Sequence, residues 1–285
     1  MGKILYGKQE AQNIRAKIRN SIVKENEKGH RRPGLAVIIV GDDSASLYYA
    51  DLIKKAGKKE GVVVQKKHLE ESNTEKVIKL INELNKDKNI DGILIQLPLP
   101  KKIDKDKVFS GLAPEKDVDG QTPVNLGLLA SRQKGIFPAT ARAVVKILKC
   151  NNIEIKGKDI TVVGRSTAVG LPASLLLLKE NATVTICHSV SQPLEKYTKN
   201  AEILVVAAGK PNLIRKKHVK KGASVVDVGT NDVKGKIVGD VDIDRVIKKA
   251  SVSPAVGGVG ALTMACLLEN TYELYRKNLY SNTDK

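Results

Sequence analysis

Residues 159–170 read DITVVGRSTAVG. A β-branched apolar run, DITVV, enters Gly164-Arg165-Ser166-Thr167-Ala168-Val169-Gly170, and Leu171-Pro172 opens an apolar stretch with helical character. That is the pattern of strand, tight turn and helix. Small residues at such a turn let backbone amides approach a phosphate, and a helix N-terminus adds positive potential. The spacing is not the usual G-x-G-x-x-G, because Ser166 takes the middle position and the last glycine comes one residue late. A tight turn that holds no ligand accounts for the same glycines.

Downstream, the rhythm repeats. ATVTIC (182–187), EILVVAAG (202–209) and ASVVDVG (223–229) read as further strands, with helices expected over 169–179 and 191–199. This is the order of a nucleotide-binding α/β domain, whose ligands sit beyond the carboxyl ends of its strands. Glycine-bearing turns follow two of these strands, Ala208-Gly209-Lys210-Pro211 and Asp227-Val228-Gly229-Thr230-Asn231, where the nicotinamide half of a dinucleotide could lie. Pro254-Ala255-Val256-Gly257-Gly258-Val259-Gly260 supplies another close-approach loop before an amphipathic helix over 259–277. Strand 182–187 leads into His188-Ser189, with no acidic residue to grip a ribose and repel a 2′-phosphate. The guanidinium of Arg165 and the hydroxyl of Ser166 can hold that additional phosphate, which favours NADP and leaves NAD possible.

Upstream of residue 159 a second α/β series precedes this one. A helix over 8–28 carries Ile14, Ile18 and Ile22 at helical spacing, and LAVIIV (35–40) is a buried strand ended by Gly41-Asp42-Asp43. A helix over 45–60, a strand at 62–65, a helix over 75–87 capped by Asn73 or Thr74, and a strand within IDGILIQLPLP (90–100) follow. GLAPEKDVDGQTPV (111–124) concentrates Gly, Pro and Asp as a boundary or cleft-lining loop, and a helix is expected over 140–150. Three polar placements stand out: Tyr49 on a helix, Gln96 at the end of an apolar strand, and Asp117 and Asp119 alternating across Val118. A carboxylate with an amide reads the donor edge of a heterocycle, and a tyrosine packs on its face. Each also has a plainer explanation in a capped turn, a strand-edge amide or an interfacial ring.

The 285 residues fit two domains, and 41% hydrophobic content with 3% aromatics and no Trp gives an aliphatic core. That balance excludes disorder, collagen and a chain-long coiled coil. The formal charge of +18 attracts anions in general. It comes as scattered pairs such as Lys101–Lys102 and Lys220–Lys221, so no specific nucleic acid is expected. Cys150, Cys187 and Cys266 form no C-x-x-C, so neither a metal site nor a disulfide framework is expected. The N-terminal stretch turns charged too early for a signal peptide, and no run approaches 18 apolar residues. No membrane span and a cytoplasmic setting are the expectation.

Eight segments, in order and through nearly the whole chain, closely resemble the methylenetetrahydrofolate dehydrogenase/methenyltetrahydrofolate cyclohydrolase family. They are GDDSASLYYADLIKKAGKKEG, DGILIQLPLP, PEKDVDGQTPVN, TVVGRSTAVGLPASLLL, ATVTICHS, VVDVGTN, VGDVD and GGVGALTMACLLENT. The resemblance implies an α/β two-domain protein: an N-terminal α/β catalytic domain plus a Rossmann-like NAD(P)-binding domain. Its expected boundaries are 1–120 for the folate-binding part, completed by a C-terminal helix 259–285, then 140–258 for the cofactor part, with 121–139 connecting them. It implies tetrahydrofolate one-carbon derivatives as partners, a homodimer, and a folate lying in the cleft between domains. It matches Tyr49 to the substrate-stacking tyrosine, Gln96 to the site glutamine and Asp119 to the pterin-binding aspartate. Gly164, Arg165 and Ser166 match the phosphate turn, Ser189 a nearby cofactor contact and Thr230 the residue beside the nicotinamide. Pro254, Gly257 and Gly258 fall in the loop near folate.

Three departures from the family pattern matter. Where the family has Y-x-x-x-K, this chain reads Tyr49-Ala50-Asp51-Leu52-Ile53, so Ile53 stands at the catalytic lysine position. Lys54 is the next residue, but it lies roughly 100° around an ideal helix. Val256 and Ala261 replace loop prolines, and Thr230 replaces a more usual apolar residue. Hydride loss from the methylene carbon needs alignment, because the folate nitrogens stabilise the cation that forms. Ring opening by water also needs a proton carrier, which Ile53 is not. The expectation is therefore NAD(P)-dependent oxidation of 5,10-methylenetetrahydrofolate to 5,10-methenyltetrahydrofolate, with weak or absent cyclohydrolase activity. The alternatives are a bifunctional enzyme that also makes 10-formyltetrahydrofolate through Lys54 or another basic group, and a folate- or dinucleotide-binding protein without catalysis. An RNA-binding role for the basic surface comes last.

Overall fold

Residues 2–280 are described by a computed structural model, and they divide into two compact α/β units. One unit comprises Asn13–Phe137 and the described chain from Leu267; the other comprises the chain up to Gln12 and Pro138–Cys266.

The first unit opens with α1 (Lys8–Glu27), which starts in the other unit and buries Ile14, Ile18 and Ile22 along one stripe. Then come β1 (Gly34–Val40), α2 (Ser44–Glu60), β2 (Val63–Leu69), α3 (Thr74–Lys86), β3 (Gly92–Ile95), α4 (Lys105–Gly111) and α5 (Pro123–Ala130). The three strands are parallel in the order β2-β1-β3, with Leu35 opposite both Val64 and Gly92. β1 is central and buried along its whole length, as its unbroken apolar run requires. Ile38, Val40, Ile93 and Ile95 meet Val77 and Ile81 of α3 and Phe109 of α4 in one core. Asn73 is the cap of α3, accepting from the Lys76 amide at 2.9 Å.

The second unit holds α6 (Ala139–Cys150), β4 (Asp159–Val163), α7 (Gly170–Lys179), β5 (Thr183–Cys187), α8 (Glu195–Thr198), β6 (Ile203–Val206) and β7 (Ser224–Asp227). A small hairpin of β8 (Asn231–Val233) and β9 (Lys236–Val238), then α9 (Ile243–Val246), β10 (Ser251–Val252) and α10 (Val259–Tyr280) complete it, α10 continuing into the first unit. Five parallel strands lie in the order β10-β7-β6-β4-β5. The chain moves from β4 outward to β5 and then returns to the other side of β4 for β6. That reversal makes the carboxyl ends of β4 and β6 the switch point, where ligands of open α/β sheets bind.

Several elements differ from the sequence expectation. The helix expected over 191–199 shrinks to α8, because Pro193 lacks an amide and biases Gln192 to extended backbone. The strand expected at 62–65 runs on to Leu69, since Lys66, Lys67 and His68 suit a half-buried edge strand. Residues 121–139 contain α5, started by a Thr122 cap on the Asn125 amide at 3.3 Å with Pro123 in the first turn. α4 had no expectation either; Asp104 caps it at 3.1 Å. Of the closing helix expected over 259–285, residues 281–285 lie outside the described residues. Among the described residues no helix is long and apolar enough to cross a membrane.

Candidate active site

At the switch point, β4 ends and the chain turns through Gly164 at φ +127°. A Cβ there would collide with the carbonyl oxygen of Ala207, which follows β6, so only glycine lets the two loops close together. Gly170 is pressed in the same way against the Gly164 carbonyl. The Gly164 amide donates to the Cys187 carbonyl at 2.8 Å, and the Leu171 amide donates to the Ser166 carbonyl at 3.0 Å. The Ser166 hydroxyl accepts from the Val169 amide at 3.2 Å and so helps start α7. Arg165 and Ser166 are exposed on the outside of this turn. Glycines packed backbone to backbone, beside an exposed guanidinium, fit a dinucleotide phosphate.

The neighbouring loop, after β5, carries His188 and the exposed Ser189 and contains no carboxylate. The His188 amide donates to the Ser191 hydroxyl at 3.1 Å, and its buried Nδ1 has no hydrogen-bond partner among the described residues. Thr230 is exposed at the end of the loop after β7. Gly257 takes φ +83° and accepts from the Gly7 amide at 3.0 Å, while a side chain at Gly258 would strike the Pro254 carbonyl. Pro254, Gly257 and Gly258 thus form one tight loop closed by the N-terminal segment.

Two acids in this unit were quoted in the sequence motifs without a role. Asp227 accepts from the amides of Gly229, Asp240 and Val241, each at 3.0 Å. Burial is the larger influence and pushes its carboxyl up to about 6, against the pull of those three amides. Asp240 is fully buried and accepts from three consecutive amides, Ala208, Gly209 and Lys210, at 2.7, 2.9 and 2.8 Å. The signal available in sequence was a polar residue ending an apolar strand, SVVD, followed by small residues.

In the first unit the polar residues gather at the carboxyl ends of β1 and β3. Tyr49 is half-buried on α2, the helix that follows β1. Gln96 continues β3, its amide donating to the Ile38 carbonyl at 2.9 Å. The Asp117–Asp119 segment runs beside β3, with Asp117 bridged to Ile93 in parallel. Asp117 is buried and accepts from the Thr122 amide at 2.7 Å and the Asn125 side chain at 3.0 Å, so its task is to hold the loop. Asp119 is half-buried and accepts from Nε2 of Gln121, a residue the sequence reading passed over. Gln121 is itself buried, and its Oε1 has no hydrogen-bond partner among the described residues.

Ile53 sits on α2 four residues beyond Tyr49 and is 0% exposed, whereas Lys54 is exposed. α2 is unbroken from the Asp43 cap, which accepts from Ser46 at 2.8 Å, to Gly61 at φ +87°. Along this continuous helix Ile53 lies on the buried side and Lys54 on the exposed side.

Residues 5–119 match the catalytic domain of tetrahydrofolate dehydrogenase/cyclohydrolase, and residues 138–279 match the NAD(P)-binding domain of the same family. The bifunctional protein FolD of Aquifex aeolicus is 46% identical over 280 residues, covering 97% of this chain and 96% of that protein. The crystal structure of the bifunctional FolD enzyme from Campylobacter jejuni superposes with a TM-score of 0.93 at 41% identity, covering 97% and 99% of the two chains. The Trypanosoma brucei methylenetetrahydrofolate dehydrogenase-cyclohydrolase, solved with NADP and an inhibitor, gives 0.92 at 36% identity, with 98% of each chain covered.

Proposed function

Because the chain belongs to the tetrahydrofolate dehydrogenase/cyclohydrolase family, we propose that it oxidises 5,10-methylenetetrahydrofolate to 5,10-methenyltetrahydrofolate with NADP. The observation that carries this reading is the turn between β4 and α7, closed on Ala207 at the switch point with Arg165 exposed beside it. When bound, NADP supplies the hydride acceptor. The backbone of Gly164 and Ser166 would approach its phosphates, Arg165 and Ser166 would hold the 2′-phosphate, Ser189 would make a nearby cofactor contact, and Thr230 would border the nicotinamide. The lack of a carboxylate after β5 supports NADP over NAD. Tyr49 supports the pterin ring, and Asp119 and Gln96 accept from its N–H edge. The reaction then needs the two rings held in a near-attack geometry, which positioning alone supplies. A homodimer in the cytoplasm belongs to the same reading.

On the hydrolytic step two readings stand. The relatives at 46% and 41% identity are named bifunctional, which favours retained ring opening to 10-formyltetrahydrofolate. Ile53 is the observation for the other reading, weak or absent hydrolysis: a fully buried alkyl group carries no proton, and the exposed Lys54 is not presented in its stead. The reading with both activities has the broader support, and Ile53 makes its rate the decisive quantity.

The test is a paired assay on the purified chain. NADPH formation that depends on methylenetetrahydrofolate is expected, and its absence overturns the dehydrogenase reading. Enzyme-accelerated loss of methenyltetrahydrofolate, above the spontaneous rate, supports the bifunctional reading and removes the narrower one. If Ile53 limits hydrolysis, Ile53→Lys raises that rate by about a hundredfold or more, while burial of an unpaired ammonium lowers folding stability by several kcal/mol.

A further inference from the structure

The loop after β6 has the form of an anion-binding nest, and it is already filled. Three successive amides, those of Ala208, Gly209 and Lys210, converge on the carboxyl of Asp240. A fourth donor, Nδ2 of Asn231, reaches its Oδ1 at 2.9 Å. Asp240 in turn donates its own amide to Asp227, and any side chain at Gly229 would collide with its carboxyl. Three loops therefore close on one buried group: 208–210 after β6, 229–231 after β7, and 239–241. Successive amides of this kind ordinarily bind a phosphate or another external anion. Here the chain's own carboxylate occupies them, which leaves cofactor phosphate binding to the turn at 164–170.

The filled nest lies at the switch point. Ala207, the residue before it, is the one whose carbonyl faces Gly164, so the wall set by Asp240 is continuous with the phosphate turn. Thr230, beside the fourth donor Asn231, stands at its other end.

We infer that Asp240 is a positioning residue for the nicotinamide end of the cofactor, shaping the 207–210 and 229–231 loops as one wall without touching the phosphates. This rests on the dehydrogenase reading and extends it. Asp240→Asn keeps one acceptor oxygen and replaces the other with an NH2 group, which turns a donor towards at least one of the three amides and leaves it unpaired. The loops then relax at the nicotinamide end, while the turn at 164–170 keeps its own hydrogen bonds.

The experiment compares binding of NADP and of 2′-phospho-ADP-ribose, which lacks only the nicotinamide, by calorimetry to the wild-type chain and to Asp240→Asn. The expected result is a loss of about tenfold or more for NADP, 2′-phospho-ADP-ribose affinity kept, and kcat lower by ten- to a hundredfold with KM for the folate unchanged. Equal loss for both ligands marks a general structural role and overturns the inference, as does no loss for either. Wild-type protein that binds neither ligand defeats the dehydrogenase reading and this inference with it, an outcome distinct from a wild type that binds both. If Asp240→Asn does not fold, Asn231→Ala removes one donor and leaves the nest in place. A smaller loss confined to NADP then supports the inference, and equal or absent loss overturns it.

Discussion

Asp227 closes β7 with its carboxyl turned inward onto three amides, and burial leaves that carboxyl titrating near pH 6. The folded-state value is raised above the ordinary 3.8, so between about pH 4 and pH 6 the folded chain holds a proton that the unfolded chain has released. This group's contribution therefore falls as pH rises through that window, opposite in sign to paired acids such as Glu202, which the Asp159 amide and Lys158 hold below the usual range. The expected outcome is that the stability difference between wild type and Asp227→Asn changes between pH 4 and 6 and is flat above about 7, measured by urea unfolding across that range. A flat difference throughout would mean Asp227 stays ionised. Neighbouring residues show how far sequence reaches at this scale. The alternation of Asp117 and Asp119 was visible, but only the structure separates the buried loop-holder from the half-buried acid beside Gln121.

α2 joins the folate-side residues to the sheet. It follows β1 after Gly41, which adopts φ +80°, and starts where Asp43 accepts from both the amide and the hydroxyl of Ser46. Its inner face buries Ser46, Ala50, Ile53 and Gly57, an i, i+4, i+7, i+11 stripe that fixes which way Tyr49 is carried. Asp43→Ala removes the cap and is expected to lower stability by about 1 kcal/mol, a melting shift of about 2–4 °C. Since the cap also sets the first turn, KM for the folate is expected to rise while KM for NADP stays put, as steady-state kinetics with each substrate varied would show. The sequence points to this helix over 45–60, while its Asp43 cap and its Gly61 terminus come from the structure. α8 was overread because apolar and polar residues around Pro193 mimic a helix that proline forbids.

At the scale of the whole chain, the first unit is closed by residues far apart in sequence. Asp91, before β3, is 0% exposed and accepts two hydrogen bonds from the Arg31 guanidinium, each 2.7 Å, and one from the Gly34 amide at 2.9 Å. Asn278 of α10, 187 positions later, donates to the same carboxyl at 2.9 Å, and the Tyr275 hydroxyl donates to the Arg31 carbonyl. A buried carboxyl with four donors leaves them all unpaired when it is lost. Asp91→Ala is expected to destabilise the chain by about 3–5 kcal/mol, with the denaturant midpoint falling and α10 amides near Asn278 exchanging faster with solvent. An unchanged midpoint would mean that α10 is held by its apolar face alone.

Periodicity, caps and glycine spacing determined the two α/β series, the strand–turn–helix at 159–179 and the isoleucine at position 53, because each is a relation among residues close in the chain. Tertiary structure alone decided that the amides after β6 belong to Asp240, that Gly164 must be bare because Ala207 faces it, and that Asp91 collects donors from both ends of its unit. The physical reason is that burial and hydrogen-bond satisfaction are properties of loops brought together by sheet order. A strand sequence states that it will pair, while the partner it finds depends on the return of the chain from β5 to β6.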